Sequence, residues 1–193
     1  MESTNHRPAG AGQAPALLDV HALRGLIREI PDFPEPGVGF KDITTLLSDP
    51  AGFATSVDLL AAPFRDEGVE LVVGVEARGF VFSAPVAHTL GAGLVPIRKP
   101  GKLPSAIDSV TYELEYGGGT LEIHADAIPH GSRCLIVDDV LATGGTARAA
   151  VELVERQGGV VVGSAFLAEL TFLGGRARLG SSAPVVALID YDR

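Results

Sequence analysis

The sequence CLIVDDVLATGGTARAAVELV, residues 134–154, has three parts in a fixed order. Residues 134–137 are an unbroken apolar run, which predicts a strand buried on both faces. Asp138 and Asp139 follow at the carboxyl end of that strand. Residues 142–146 then form a loop of small residues that opens a helix. This order of strand, acid pair, loop and helix is typical of a unit from an α/β sheet.

The loop and the acid pair suit different parts of one ligand. Open α/β sheets bind ligands at the carboxyl ends of their strands. Gly144 and Gly145 let backbone N–H groups converge on an anion, and the helix N-terminus adds its positive end. Thr143 and Thr146 add hydroxyl donors. Because the neighbouring acids suit sugar hydroxyls or Mg²⁺, the stretch predicts a site for a ribose 5-phosphate.

Each feature taken alone has a common structural explanation. Two acids after a strand are often a solvated strand end, and two glycines before a helix are often a tight turn. Two commoner phosphate loops do not match. A Rossmann fingerprint places its acid well downstream of the glycines, whereas here the acids come first. A P-loop needs Gly-Lys-Ser/Thr, and the correctly spaced Gly74 and Gly79 are followed by Phe80.

Composition limits the class of protein. A chain of 193 residues predicts one domain with a substantial core. The net charge of −9 disfavours nucleic acid and anionic membranes as partners, because both need a basic face. Cys134 is the only cysteine, which rules out an intrachain disulfide and predicts a buried structural thiol. The sequence shows neither an apolar run of membrane-spanning length nor a secretory signal pattern, so we expect a cytoplasmic protein.

The N-terminal part shows less regular patterns. Residues 1–16 are rich in small and polar residues without a period and predict a disordered tail. Asp19 is a candidate cap for an amphipathic helix over residues 20–30. Residues 31–43 contain three prolines and two glycines, which predicts a stiff loop without regular structure. Such a loop is either a linker or, with its aromatic residues, a surface for stacking a planar ligand.

The rest of the chain alternates between strand and helix patterns. Further buried strands are predicted at residues 71–73, 94–97, 160–167 and 185–188. Helices are predicted from Asp49 to residue 64 and from residue 80 to about residue 90, and a short helix or turn at 171–179. Residues 105–126 alternate around three glycines, as in a half-exposed hairpin. The pattern favours a parallel sheet covered on both faces, with the hairpin appended.

Cations gather near two predicted strand ends. Arg78 lies at a strand-to-helix junction, and Arg98, Lys99 and Lys102 follow the next strand. A lone arginine is most often part of a surface ion pair, and a basic loop can be merely solvated. Together, in an acidic chain, these residues are a candidate polyphosphate site, because guanidinium groups bind phosphate bidentately.

Five segments in order resemble the adenine phosphoribosyltransferases of the type I phosphoribosyltransferase family. They are residues 31–43, EARGF at 76–80, 97–104, YELEYG at 112–117 and VDDVLATGGT at 137–146. The last resembles the motif that binds phosphoribosyl pyrophosphate (PRPP). The resemblance implies an α/β fold with a central, mainly parallel sheet flanked by helices, an N-terminal hood (17–45) and a flexible hairpin lid (103–126). It covers a single domain, 17–193, after the tail.

The resemblance also implies an activity and a set of site residues. The activity is transfer of phosphoribose from PRPP to adenine with Mg²⁺, giving AMP and pyrophosphate, by a homodimer. The 5-phosphate site is Ala142, Thr143, Gly144, Gly145 and Thr146, with Asp138 and Asp139 for ribose and Mg²⁺. The pyrophosphate site is Glu76, Ala77, Arg78, Arg98, Lys99 and Lys102, with a cis peptide bond between Glu76 and Ala77. The adenine site is Val38, Gly39, Phe40 and Lys41. Glu115 is the general acid/base, and Tyr116 closes with it.

Two departures and two alternatives accompany this interpretation. Three glycines at 117–119 suggest a more flexible lid than the family pattern, and Lys41 stands where arginine is frequent. A transferase for hypoxanthine, guanine or xanthine would share the PRPP motif but lack the hood and the Glu115–Tyr116 pair. A non-catalytic PRPP-binding regulator would share the fold but carry a DNA-binding segment or a basic face, and the sequence shows neither.

Overall fold

Strands and helices alternate along the chain, as the sequence predicts. The computed structural model describes residues 17–33, 35–37, 39–113, 118–180 and 182–192. The helices are α1 (Val20–Leu26), α2 (Thr44–Leu47), α3 (Pro50–Ala61), α4 (Gly79–Leu90) and α5 (Gly145–Arg156). The strands are β1 (Arg28–Ile30), β2 (Phe40–Asp42), β3 (Leu71–Val75), β4 (Gly93–Ile97), β5 (Ile107–Glu113), β6 (Gly118–His124), β7 (Arg133–Leu141), β8 (Val160–Leu170) and β9 (Val185–Tyr191). Short 3₁₀ turns lie at Ala62–Phe64, Thr171–Leu173 and Gly175–Leu179.

Five strands form the central sheet in the order β4-β3-β7-β8-β9. Every neighbouring pair in this sheet is parallel, which confirms the predicted parallel sheet. Its residues alternate between two buried clusters because successive side chains of a strand point to opposite faces. Val72 packs in one cluster with Phe82 of α4, whereas Val73 packs in the other with Leu153 of α5 and Leu121 of the hairpin. Helices therefore cover both faces.

The order of the strands creates a crevice between β3 and β7. The chain leaves β3 through α4 and returns in β4 on one side, and it leaves β7 through α5 and returns in β8 on the other side. The two connections diverge, so the carboxyl ends of β3 and β7 are left uncovered between them. Ligands of open α/β sheets bind at such a switch point.

The N-terminal segment differs from the predicted helix and loop. Asp19 caps α1 as predicted, accepting a hydrogen bond from the backbone of Ala22 at 2.7 Å. The helix ends at Leu26 rather than at residue 30. Residues 28–30 instead form β1, which pairs antiparallel with β2. The prediction that residues 31–43 lack regular structure was wrong for residues 40–42, because pairing with β1 determines their conformation.

The acid pair also lies differently from the prediction. Asp138 and Asp139 are inside β7 rather than after it, because the pairing with β8 continues as far as Leu141. Cys134 is a buried thiol as predicted, and burial raises its pKa to about 11, which leaves it unreactive. In the described part of the chain, no helix has both the length and the apolar character needed to cross a bilayer.

The predicted hairpin is present, with β5 and β6 paired antiparallel over their whole length. Arg98 joins β6 to the segment after β4 through a bridge to Glu122. The tip at 114–117 and the N-terminal residues 1–16 lie outside the described residues.

Candidate active site

The crevice between β3 and β7 contains a cavity of about 630 Å³. Its walls come from the hood, the ends of β3 and β7, the loop into α5, and the hairpin. The lining residues are Gly39, Phe40, Lys41, Val75, Glu76, Ala77, Arg78, Lys99, Tyr112, Leu121, Asp138, Asp139, Val140, Leu141, Ala142, Thr143, Gly144, Gly145, Thr146, Ala147 and Leu170. Segments far apart in sequence thus share one cavity large enough for a nucleotide-sized ligand.

The floor of one end is the loop that enters α5. Gly144 precedes the helix with φ 80°, a left-handed conformation that favours glycine. A Cβ there would also collide with the backbone of Gly175. Among the described residues no side chain caps the helix, so its first backbone N–H groups lack side-chain partners there. An anion at this position would accept those N–H groups and gain from the helix dipole.

The acid pair lies beside this loop. The Asp139 side chain is only 8% exposed, and Asp138 is half-buried. Burial, and then the charge of Asp139, raises the pKa of Asp138 well above its ordinary value. The backbone N–H of Asp139 donates to Asp138 Oδ1 at 2.9 Å. Because the two carboxylates are crowded and burial disfavours their charge, they favour a ligand that brings hydroxyl donors or a cation.

Arg78 faces the acid pair from the end of β3. Its Nε lies 2.5 Å from Asp139 Oδ2, and its side chain is half exposed. That oxygen is buried, yet no donor among the described residues is aligned with it, so the contact is an ion pair with poor hydrogen-bond geometry. The guanidinium carbon also lies 5.4 Å from the ring centroid of Phe40. Arg78 therefore links the strand end, the acid pair and the hood.

Glu76 fastens the loop after β4 to the end of β3. Its carboxylate accepts the backbone N–H of Lys99 at 3.0 Å and Nε of Arg98 at 3.2 Å. The Lys99 N–H, more than the Arg98 guanidinium, lowers the pKa of Glu76. The peptide bond between Glu76 and Ala77 is cis, as the resemblance implies. These contacts hold Lys99 at the cavity wall.

The hood forms the opposite wall. The Phe40 ring packs edge-on against Phe33 at 5.1 Å between centroids. Lys41 is 9% exposed and bonds Glu29 at 2.7 Å, and its Nζ lies 4.6 Å from the ring centroid of Tyr191. The hydrogen bond and charge of Lys41 lower the pKa of Glu29. Lys41 thus ties β2 to β1 and to the end of β9.

Comparisons with known proteins agree with this geometry. The phosphoribosyl transferase domain model matches residues 42–183. The adenine phosphoribosyltransferase of Solibacter usitatus is 57% identical over 171 residues, which are 89% of this chain and 98% of the relative. The chain belongs to the adenine phosphoribosyltransferase family. Among solved structures, the adenine phosphoribosyltransferase of Thermoanaerobacter pseudethanolicus has a TM-score of 0.86 and 50% identity, with 89% of this chain and 99% of that chain covered. The Saccharomyces cerevisiae enzyme, solved with an iminoaltritol bisphosphate and adenine, has a TM-score of 0.82 and 40% identity, with 88% and 97% covered.

Most of the residues predicted from sequence line the cavity of this family member. The loop residues 142–146, the acid pair, Glu76 to Arg78, Lys99 and the described hood residues are among its walls. Arg98 and Lys102 are not among the lining residues. Arg98 turns to Glu76, and Lys102 is exposed to solvent. Val38, Glu115 and Tyr116 lie outside the described residues.

The sequence reasoning missed several lining residues. Tyr112 and Leu121 reach the cavity from the hairpin, and Val140, Leu141 and Leu170 line it from β7 and β8. Tyr112 belongs to the YELEYG segment, so the motif was a signal for it. The apolar residues carry no such signal, because buried strands and cavity walls use the same side chains. Within the described residues, no group of three or more His, Cys, Asp or Glu could hold a metal ion.

Proposed function

We propose that this chain catalyses transfer of the 5-phosphoribosyl group from PRPP to adenine, giving AMP and pyrophosphate in purine salvage. The observation that carries this proposal is one cavity in which the glycine loop before α5, an acid pair, three cationic side chains and the aromatic hood residue Phe40 converge. The names of relatives at more than half identity support it. A ribose that carries phosphate groups at both ends, with a planar base beside it, has one chemical group for each of these walls.

The loop residues Ala142, Thr143, Gly144, Gly145 and Thr146 bind the 5-phosphate through backbone N–H groups and hydroxyls. Asp138 and Asp139 accept hydrogen bonds from the ribose hydroxyls. Their crowding, evident in the raised pKa of Asp138, is relieved when those donors arrive. This fits a ligand whose hydroxyls lie a few ångströms from its phosphate.

Arg78 and Lys99 face the pyrophosphate, with the backbone at Glu76 and Ala77 beside them. Arg98 and Lys102 remain proposed members of this group. The C1′–O bond breaks and pyrophosphate leaves with the electron pair, so negative charge grows on its oxygens. Preorganised cations stabilise that charge in the transition state more than in the ground state.

Adenine lies against Phe40, and the backbone of residues 38–41 reads its edge. Its N9 bonds to C1′, and the N9 proton passes to the carboxylate of Glu115, the residue matched to the family's general acid/base. A carboxylate becomes a competent base where water is excluded. Tyr116 is proposed to close with Glu115 over the reacting atoms. These two assignments rest on the resemblance of the YELEYG segment.

The residues present fit Mg²⁺ through PRPP rather than through a protein cage. Mg²⁺ keeps several waters and uses one or two carboxylates together with substrate phosphates. Asp138 and Asp139, with the buried Oδ2 of Asp139 lacking an aligned donor, suit such contacts through water or ribose hydroxyls. When bound, the ion supplies charge neutralisation on the leaving pyrophosphate. A homodimer in the cytoplasm is likewise proposed from the family resemblance.

The test is AMP formation from adenine and PRPP in the presence of Mg²⁺, measured by chromatography of the products. We expect turnover in the wild type. In the double variant Asp138→Asn with Asp139→Asn, we expect a KM for PRPP at least about tenfold higher, because ground-state contacts are lost. Absence of AMP in the wild type would contradict the proposed reaction. An unchanged KM in the double variant would contradict the role of the acid pair.

A further inference from the structure

One polar side chain of the hairpin reaches the phosphate loop. Tyr112, in β5, lines the cavity, and Thr146 Oγ1 donates a hydrogen bond to its hydroxyl oxygen at 3.2 Å. The two residues are 34 positions apart, and both are partly buried. Among the described hairpin residues, Leu121 also lines the cavity, but it has no polar side-chain atom. The phenol is therefore the hairpin's polar contact with the loop in the described chain.

The cross-strand neighbour of Tyr112 makes room for its ring. Tyr112 pairs in register with Gly119 of β6. A Cβ on Gly119 would lie 2.6 Å from both Cζ and the hydroxyl oxygen of Tyr112. The ring therefore lies across the Gly119 backbone, in space that any other residue would occupy. One of the three glycines noted in the sequence thus has a packing role.

The far end of the hairpin is fastened to α5, the helix that begins at the phosphate loop. Arg156 Nη1 donates to the carbonyl of Ser109 at 3.0 Å. Gln157 Nε2 donates to Asp108 Oδ2 at 2.9 Å and to the carbonyl of His124 at 2.8 Å. The hairpin is therefore anchored beside both ends of α5. This anchoring fixes where the Tyr112 hydroxyl stands relative to Thr146.

We propose that Tyr112 is a positioning residue for the 5-phosphate and acts through Thr146. A threonine hydroxyl has one proton to donate and two lone pairs to accept with. In this structure Thr146 Oγ1 donates that proton to the Tyr112 hydroxyl oxygen. When a phosphate oxygen takes the proton, the Tyr112 O–H rotates and donates to Thr146 Oγ1. Thr146 stays oriented in both states, and β5 contributes to phosphate binding without touching the ligand.

This inference rests on the proposed function, and its test separates the two. AMP carries the 5-phosphate and adenosine lacks it. Titration calorimetry with both ligands therefore isolates the contribution of the 5-phosphate to binding. Tyr112→Phe removes only the hydroxyl. We expect this variant to weaken AMP binding about three- to tenfold, the range of one hydrogen bond. Its affinity for adenosine should stay within about twofold of the wild-type value. Gly119→Ala keeps every hydroxyl but displaces the Tyr112 ring, and it should weaken AMP binding by a similar factor.

Thr111→Ala is the matched control. Thr111 is the exposed neighbour of Tyr112, and its hydroxyl bonds Thr120 across the hairpin at 3.1 Å. We expect this variant to bind AMP within about twofold of wild type. The inference is overturned if Tyr112→Phe leaves the affinity for AMP unchanged or lowers the affinity for adenosine equally. It is also overturned if Thr111→Ala lowers the affinity for AMP as much as Tyr112→Phe does. Failure of the wild type to form AMP from adenine and PRPP would instead contradict the proposed function.

Discussion

Arg78 Nε lies 2.5 Å from Asp139 Oδ2, so a residue proposed for pyrophosphate is paired with one proposed for ribose. The arginine is half exposed, so solvent reaches its guanidinium, whereas the side chain of Asp139 is only 8% exposed. A charge-assisted, bidentate contact with phosphate contributes roughly 1.5–3 kcal/mol. We therefore expect pyrophosphate to compete with Asp139 for Arg78. A ribose hydroxyl donating to Asp139 would then replace the arginine, so we expect the two parts of PRPP to assist one another's binding.

Arg78→Ala is expected to raise the KM for pyrophosphate in the reverse reaction by about 10- to 100-fold, because the bidentate contact is lost. Arg78→Lys should be intermediate, since it keeps the charge but not the fork. Initial rates with AMP and varied pyrophosphate measure this. The control is Arg65→Ala, whose partner Asp58 lies 3.7 Å away in an exposed pair. A KM within twofold of wild type for Arg78→Ala would contradict the role.

Asp138→Asn is expected to stabilise the protein at neutral pH while weakening PRPP binding. The folded pKa of Asp138 is raised above 3.8, so ionising it costs free energy in the folded state. Above the folded pKa the wild type bears this cost in full, and below about 3.8 it bears none. The gain in Tm should thus shrink as the pH falls toward 4.

Thermal unfolding at several pH values measures this difference. Asp66→Asn is the control, because Asp66 is exposed, and it should shift Tm little at any pH. If Asp138→Asn lowered Tm at pH 7, or if its gain grew on acidification, the account of the acid pair would be wrong.

Lys41→Met is expected to raise the KM for adenine about three- to tenfold without changing that for PRPP. The variant keeps the length of the side chain but loses the bond to Glu29 and the contact with Tyr191, which together hold the hood. Lys41→Arg should retain most activity because it can make both contacts. Arg28→Ala removes an ion pair with Asp42 on the same ribbon, where Arg28 is 58% exposed, and is the control. Equal changes in the KM values for adenine and PRPP would contradict this role, because they would show that Lys41→Met perturbs the whole site and not the hood alone.

Glu115→Gln is expected to keep PRPP binding and to lower kcat by about a hundredfold or more, the usual range for a lost acid/base group. Glu122→Gln is unsuitable as a control, because Glu122 Oε2 accepts the N–H of Gly101. Asp126→Asn, an exposed change just beyond the hairpin, serves instead. A fall in kcat of less than about fivefold in Glu115→Gln would move the role to another group.

The sequence predicted the sheet well because its strands are apolar runs and two of the helices, α1 and α3, begin at capping residues. Asp19 and Asp49 both cap helices, as their positions suggest. It predicted the loop that enters α5, because the strand, the glycines and the helix start are adjacent in sequence. It did not predict β1 and β2, which exist only as a pair, nor the continuation of β7 through Asp138 and Asp139. Contacts such as Tyr112 with Thr146 depend on tertiary packing, which no local period encodes.

The choice between adenine and hypoxanthine is the sharpest test of how the hood binds the base. Adenine presents an N6 donor beside an N1 acceptor, and hypoxanthine reverses both. A hood that reads the base through backbone groups of residues 38–41 cannot reorient, so hypoxanthine leaves two polar groups unpaired. At roughly 1–3 kcal/mol each, this predicts a preference of about 30-fold to 10⁴-fold.

The measurement is the ratio of kcat/KM for adenine to that for hypoxanthine at saturating PRPP. The account predicts a ratio above about 30. A ratio within tenfold of unity would contradict it and would assign the chain a broader purine specificity.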